Sequence, residues 1–143
     1  MAELFSDPWA VAWGEELRRS EAYRQAARNW EGPVVFELSG TECRSVYLDL
    51  WRGECRIARI AEDGDIESAR FVLSADLATW ISVLEGNLSP LPAVMRGKLQ
   101  LKKGKLSALL PFTAAARELV VAATNVSTEF PGAPSAVPGG SRG

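Results

Sequence analysis

Side chains able to do catalytic chemistry are scarce in this sequence. Its 143 residues include two cysteines and no histidine, which excludes Ser-His-Asp and Cys-His catalysis, proton transfer by imidazole and histidine-bearing zinc sites. The spacing of Cys43 and Cys55 matches no metal-binding motif, so we expect two free thiols. The sequence also lacks a Gly-rich phosphate loop and a G-x-S-x-G elbow. We therefore expect a protein that is not an enzyme and that holds neither a metal ion nor a cofactor.

The densest acidic cluster comprises Glu62, Asp63, Asp65 and Glu67. Carboxylates at alternate positions can share a hard cation, but a calcium loop needs about twelve residues and a bidentate glutamate at its end. Asp63 is followed by Gly64, and Asp-Gly is a dipeptide typical of tight turns. The cluster therefore predicts a solvated hairpin turn rather than a metal site.

The densest basic cluster places five cations within ten residues. Such a cluster suits a lipid headgroup, a carboxylate or a phosphate, whereas on an edge strand the same lysines would prevent pairing with another sheet. No aromatic platform alternates with the cations and the formal net charge is -2, so we expect no nucleic-acid partner. The five cations are Arg96, Lys98, Lys102, Lys103 and Lys105.

Helical periodicity dominates the start of the chain. Asp7 followed by Pro8 predicts a helix that runs to about Arg19, because aspartate caps helices and proline suits their first turn. Ser20 predicts a second N-cap, and an apolar stripe then continues to Trp30.

From Pro33 the apolar period changes to two, which predicts strands. The short polar connections between them favour an antiparallel meander of four strands. The predicted strands cover residues 34–38, 46–51, 54–60 and 67–73.

After Ser74 the helical period returns, and apolar residues become frequent. The pattern predicts helices over 77–84 and 90–95, a strand over 98–102, a helical turn that Pro111 interrupts, and a final helix to about Ala123. An ordinary core and a lined cavity need the same apolar residues, so both interpretations stand.

The length and the composition predict one domain over residues 1–124 and a disordered tail over 125–143, where Pro, Gly and Ser predominate. The acidic N-terminus has no apolar run of signal-peptide length, and no run reaches the length of a membrane span. We therefore expect a cytoplasmic protein without stable membrane insertion; the oligomeric state stays open.

The segment from Leu88 to Leu110 resembles the pattern of the sterol-carrier-protein family of lipid-transfer proteins. The opening Trp-bearing helices are similar to those of the stand-alone bacterial branch of that family. The residues that carry the resemblance are Pro90, Ala93, Met95, Gly97, Lys98, Leu99, Leu101, Gly104, Leu106 and Leu109.

The resemblance implies an α+β fold in which a five-stranded, mainly antiparallel sheet and helices on one face enclose an apolar tunnel. It implies non-catalytic binding, and intracellular transfer, of a hydrophobic ligand such as a fatty acyl chain, acyl-CoA, a phospholipid or a sterol-like molecule. At the tunnel mouth Arg96 and Lys103 would contact a headgroup. The alternative is a protein-interaction or regulatory subunit that keeps the fold but has a filled tunnel. The residues expected to line the tunnel are Leu77, Trp80, Ile81, Leu84, Val94, Met95, Leu99, Leu101, Leu109, Leu110, Phe112, Ala116, Leu119 and Val120.

Overall fold

The computed structural model describes residues 2–40 and 44–129. In chain order these residues form β1 (Ala2–Glu3), α1 (Asp7–Arg19), α2 (Glu21–Ala26), β2 (Glu31–Leu38), β3 (Arg44–Trp51), β4 (Glu54–Ile60), α3 (Asp65–Ser68), β5 (Phe71–Ala75), α4 (Leu77–Leu84), α5 (Pro90–Met95), β6 (Gln100–Lys103), α6 (Leu106–Leu109), a 3-10 turn (Leu110–Phe112), α7 (Thr113–Thr124) and β7 (Thr128–Glu129).

Five strands form one sheet in the order β4-β3-β2-β5-β6. Its neighbours pair antiparallel except for β2 and β5, which are parallel and align Val34 with Phe71. The predicted α+β class with a mainly antiparallel five-stranded sheet is therefore confirmed.

The predicted four-strand meander is wrong in its last step. The acidic segment is not a hairpin turn but a crossover that carries the short helix α3, and β5 then pairs with β2 instead of β4. The crossover is fixed by Asp65, which is only 8% exposed. Its carboxylate accepts hydrogen bonds from Arg59 Nη1 at 2.7 Å and from the backbone N–H of Glu62 at 2.6 Å. The pattern of turn residues alone does not indicate this ion pair, because it shows where the chain turns and not which side chains then meet.

The sheet has two differently covered faces. Its inner face, which includes Val34, Phe36 and Leu48, belongs to the main core that contains residues of α1, α2, α4, α5, α6 and α7. Its outer face carries a separate small cluster of Val35, Tyr47, Ala69 and Val72, next to α3.

Capping residues begin both opening helices, but the residue that caps α1 differs from the predicted one. Ser6, not Asp7, caps α1, because the backbone N–H of Trp9 donates to Ser6 Oγ. Asp7 instead accepts a hydrogen bond from the backbone N–H of Ile60 at 2.9 Å, which ties the start of α1 to β4. The predicted N-cap at Ser20 is confirmed by a 3.0 Å hydrogen bond from the backbone N–H of Tyr23.

The two ends of the described chain meet. β1 pairs in parallel with β7, and the indole N–H of Trp9 donates to Thr128 Oγ1 at 2.8 Å. Residues 125–129 are thus ordered, which differs from the expected start of the disordered tail at 125. The rest of that prediction, residues 130–143, lies outside the described residues.

Among the described residues, the stretch Leu106–Thr124 is long and apolar enough to cross a membrane by length and composition alone. A helix that covers the core of a globular fold passes the same test, and α7 packs against α1, α2, α4 and α5. The length and composition of this stretch are therefore weak evidence for a membrane span.

The Asp65 to Arg59 pair predicts how this crossover responds to mutation. Because hydrogen bonds with a charged partner stabilise by about 1.5–3 kcal/mol, Asp65→Asn should lower the free energy of unfolding by roughly that amount at pH 7. Chemical denaturation measures this change. The matched control is Asp63→Asn in the same loop, where the side chain is exposed. An equal loss in both variants would contradict the assigned role of Asp65.

The ion pair of Asp65 with Arg59 also predicts how the stability of the protein changes with pH. The hydrogen bond from Arg59 holds the pKa of Asp65 below its ordinary value. A depressed carboxyl pKa in the folded state adds stability above the ordinary pKa, and this stability is lost as the pH falls through the folded-state value. The difference in free energy of unfolding between the wild type and Asp65→Asn should therefore be constant near neutral pH and shrink below about pH 4.

Candidate functional site

An apolar cavity of about 60 Å³ lies between the inner face of the sheet and the helices. Ligand pockets usually have volumes of roughly 300–1,000 Å³, so the continuous tunnel that the resemblance implies is not seen. The walls carry no charged side chain among the described residues. They comprise Phe5, Trp9, Trp13, Tyr23, Trp30, Val34, Phe36, Leu50, Phe71, Leu73, Trp80, Val83, Leu84, Pro90, Leu91, Val94, Leu99, Leu109, Phe112, Ala115, Ala116, Leu119, Val120 and Ala123.

A chain of aromatic rings forms one wall of the cavity. Trp9 and Trp13 lie one turn apart on α1, which places their ring centroids 5.1 Å from each other. Trp13 then contacts Phe36 of the sheet at 5.0 Å, and Phe5 links Trp9 to Trp80 of α4. Tilted and edge-to-face pairs of this kind are favourable arrangements for aromatic rings.

The four tryptophans that line the cavity all donate their indole N–H groups to protein atoms. The indole N–H of Trp13 donates to the carbonyl oxygen of Leu119 at 2.9 Å, and that of Trp80 donates to the carbonyl oxygen of Glu37 at 2.8 Å. The indole N–H of Trp30 donates to the carbonyl oxygen of Gly32, and Trp9 pairs with Thr128 as described above. These N–H groups are therefore not available to a ligand.

The helical stretch of α6 and α7 closes the cavity. It contributes Leu109, Phe112 and Leu119 together with small residues such as Ala116. Phe112 stands edge-on to Trp30, with 4.7 Å between the ring centroids. On the opposite side of the same stretch, Leu110 and Val121 are 45% and 46% exposed. The stretch therefore covers the cavity with one face and meets solvent with the other.

Two ionisable groups lie buried in the main core, and of these Tyr23 but not Cys55 is among the residues that line the cavity. Burial raises the pKa of the Tyr23 hydroxyl, and it raises the pKa of the Cys55 thiol to about 11. Both groups are neutral at physiological pH, and a neutral thiol is a poor nucleophile. The prediction of a free thiol is confirmed for Cys55, whereas Cys43 lies outside the described residues.

The structure brings nine of the fourteen predicted lining residues around the cavity. They come from α4, α5, the residue before β6 and the closing stretch from α6 to α7. These residues are Trp80, Leu84, Val94, Leu99, Leu109, Phe112, Ala116, Leu119 and Val120.

The other five predicted residues, Leu77, Ile81, Met95, Leu101 and Leu110, do not line the cavity. The two most exposed are Met95, which ends α5 and is 66% exposed, and Leu110, which begins the 3-10 turn. On α4 the lining face is Trp80, Val83 and Leu84. The side of α4 that lines the cavity is therefore rotated by a fraction of a turn from the side that carries Leu77 and Ile81.

Sequence reasoning missed the contribution of the first half of the chain. The inner face of the sheet and the tryptophans of α1 supply much of the wall. Their apolar periodicity was visible, but it identifies only a buried face and does not tell which cavity that face meets.

The predicted headgroup residues are separated. Lys103 Nζ donates to the backbone carbonyl oxygens of Ile66 and Glu67 at the end of α3, by the outer face of the sheet. Lys103 is therefore placed away from the cavity. Arg96 is exposed and follows directly after α5, whose residues Leu91 and Val94 line the cavity. Only Arg96 keeps a position consistent with a headgroup contact.

The described residues contain no group of three or more His, Cys, Asp or Glu side chains able to hold a metal ion. The charged side chains that do cluster, such as Arg59 with Asp65, form ion pairs within the protein. The site therefore offers apolar contact and little else.

Comparisons relate this chain to known proteins of similar sequence and fold. The model of the SCP-2 sterol transfer family matches residues 14–113. A crystal structure of sterol carrier protein 2 is 47% identical, with a TM-score of 0.81 over 87% of this chain and 100% of that one. The solution structure of a conserved hypothetical protein from Thermus thermophilus is also 47% identical, with a TM-score of 0.80 over 89% of this chain and 92% of that one.

More distant structures share the fold. Sterol carrier protein 2 from Yarrowia lipolytica is 17% identical, with a TM-score of 0.56 over 85% of this chain and 98% of that one. A search of curated proteins found no match. The family match covers well over half of the chain and includes the α4 to β6 region that forms one end of the cavity. The chain belongs to the SCP-2 sterol transfer family.

Proposed function

We propose that this protein binds the hydrocarbon part of a lipid, such as a fatty acyl chain, in the cavity between the sheet and α7, and carries it without changing it chemically. Membership of the SCP-2 family indicates lipid binding or transfer. The observation that carries the finer proposal is the uncharged, aromatic-rich wall at the centre of the fold. The neutral state of the buried Cys55 thiol supports a non-catalytic role.

Burial of the chain supplies the driving force for this binding. Each methylene group removed from water contributes about 0.8 kcal/mol, so a twelve-carbon chain gains roughly 9 kcal/mol before other terms. Loss of ligand freedom offsets several kcal/mol of this gain. The remaining gain of about 5 kcal/mol corresponds to a dissociation constant of roughly 0.2 mM without any specific polar contact.

A cavity of about 60 Å³ has to widen before it admits such a chain. The closing stretch of α6 and α7 is the element we expect to move, because Pro111 interrupts it and Phe112 has a non-helical φ of -107° and ψ of 28°. Its inner face packs with alanines, which leave less contact to break than large side chains would. Its hydrogen bond from Trp13 to Leu119 is one of the contacts that hold it closed.

The small size of the cavity favours a second candidate function. A fold whose core is already filled serves as a protein-interaction or regulatory module rather than as a carrier. Such a module would show no uptake of hydrocarbon ligands under any condition, which separates it from the carrier.

Filling the cavity tests the carrier directly. Ala116→Phe adds a ring at a lining position of α7, and it should weaken binding of a fluorescent fatty acid by roughly tenfold or more, since the ring displaces several methylene groups. Quenching of tryptophan fluorescence during a titration gives the affinity. The matched control is Ala114→Phe, on the exposed side of the same helix, and its affinity should stay unchanged. Wild-type protein that takes up no fatty acid would favour the interaction module instead.

Opening of α7 is tested by hydrogen exchange. Trp13→Phe removes the donor to Leu119, a bond that stabilises by about 1 kcal/mol, so the amides of α7 should exchange roughly fivefold faster. Trp80→Phe is the control, because the indole of Trp80 donates to Glu37 of β2 and not to α7. If both variants accelerate α7 equally, the indole of Trp13 is not what holds the helix.

The headgroup contact is assigned to Arg96 alone. Arg96→Ala should weaken binding of dodecanoate about twofold to fivefold, as expected for an exposed ion pair, and leave binding of uncharged 1-dodecanol unchanged. Lys103→Ala should change neither affinity, because its ammonium group is engaged with α3. An equal loss for both ligands in Arg96→Ala would remove Arg96 from the site.

A further inference from the structure

A second pocket lies on the outer face of the sheet, where the chain leaves β2 and β5. Its volume is about 420 Å³ and its walls are mostly polar, in contrast to those of the apolar cavity. The two share no lining residue among those that the structure describes. The polar lining of the second pocket includes Ser74, Asp76, Thr79, Lys98, Gln100 and Lys102.

Ser74 contributes a buried hydroxyl to this pocket. On β5 the side chain of Leu73 belongs to the main core and that of Val72 to the outer cluster, so alternation directs Ser74 outward. Its register partner on β6 is Gln100, another lining residue. Ser74 is only 3% exposed, and within the described part of the chain its hydroxyl makes no hydrogen bond. An unpaired buried hydroxyl destabilises a fold, and a ligand in the pocket that accepts from it would remove that cost.

Lys98 contributes a cation to the same pocket. It lies between α5 and β6, its side chain is exposed, and its ammonium group makes no hydrogen bond or ion pair with the residues that the structure describes. Lys102 differs, because its Nζ donates to Glu37 Oε1 at 3.1 Å. Two donors without partners, on Ser74 and Lys98, therefore line one pocket. An anionic oxygen is the acceptor that suits both.

The one carboxylate of the described lining is already engaged. Asp76 caps α4 and accepts a hydrogen bond from the backbone N–H of Thr79 at 2.9 Å. Hydrogen bonds from the backbone and the side chain of Thr79 lower the pKa of Asp76, and the charge of Lys98 lowers it further. The described lining thus carries two cations and one carboxylate that Thr79 already satisfies. This positive balance favours an anion over a cation.

We propose that this pocket binds a phosphate group, which accepts hydrogen bonds from Lys98 and from the hydroxyl of Ser74, with the side-chain amide of Gln100 as a further donor. A phosphate group presents three acceptor oxygens that can meet donors on different walls, whereas a carboxylate presents two. The group belongs either to a lipid headgroup or to free phosphate. The inference goes beyond the proposed function and does not rest on it, because the apolar cavity lies on the other face of the sheet.

A titration followed by NMR chemical shifts, at constant pH and ionic strength, tests the site with inorganic phosphate and with glycerol 3-phosphate. Both should bind to the wild type. Ser74→Ala should weaken binding by roughly fivefold to tenfold, the effect of one buried hydrogen bond. Lys98→Gln should weaken it about twofold to fivefold, as expected for an exposed cation. The matched control is Lys105→Gln, which removes an exposed lysine of the same basic cluster outside the pocket and should change neither affinity.

Thermal unfolding without ligand checks the state of the Ser74 hydroxyl. Because it has no partner in the ligand-free protein, Ser74→Ala should melt within about 2 °C of the wild type. A larger fall would show that the hydroxyl already bonds within the protein and would overturn the proposal.

Three further results would overturn it. These are a wild type that binds neither phosphate compound, acetate that binds as tightly as phosphate, and a loss in Lys105→Gln as large as that in Lys98→Gln. The last result would indicate unspecific attraction to the basic cluster.

Cosedimentation with phosphatidylcholine vesicles, prepared with and without phosphatidic acid, separates the two sources of the phosphate group. Retention that requires phosphatidic acid and weakens in Ser74→Ala supports a lipid headgroup. Binding of inorganic phosphate without retention on either vesicle supports free phosphate. The fatty-acid titration tests the carrier function separately, so failure of one proposal leaves the other standing.

Discussion

The tryptophan-bearing helix α1 packs against the inner face of the sheet, and the rest of the structure depends on this interaction. Trp13 of α1 contacts Phe36 of β2, and Gly14 brings the same helix close enough to β4 that a Cβ at this position would collide with Ala58. The indole of Trp13 also holds α7 through Leu119. One side chain thus joins the sheet, the first helix and the helix that closes the cavity.

The two faces of the sheet carry different kinds of contact. On the outer face, charged groups such as Arg59, Asp65 and Lys103 fix the crossover and are engaged with protein partners. On the inner face, the contacts are almost entirely apolar and non-directional, and the proposed function requires that some of them be exchanged for contacts with a hydrocarbon chain. A cavity that is small when empty is compatible with such an exchange, because one covering helix has its other face in solvent.

Local patterns predicted most elements, and they failed where distant segments meet. The bounds of β4 and the cap at Ser20 were readable because turn and capping residues act on their neighbours. The parallel pairing of β2 with β5 was not, since paired residues such as Val34 and Phe71 lie far apart in the sequence and no local turn or capping residue indicates their partner. The Leu88 to Leu110 motif led to the correct family and to one side of the cavity. Periodicity marked Trp9 and Phe36 as buried, but only the three-dimensional arrangement shows that both face the same cavity.

The most direct test of the central claim is native mass spectrometry of the freshly purified protein, followed by organic extraction of whatever is released. If the cavity opens to hold a lipid, the spectrum should show a stoichiometric mass increment, and extraction should release a molecule with a long hydrocarbon part. A ligand-free mass that stays unchanged after incubation with 1-dodecanol and with fatty acid would contradict the account and leave the fold as a filled interaction module.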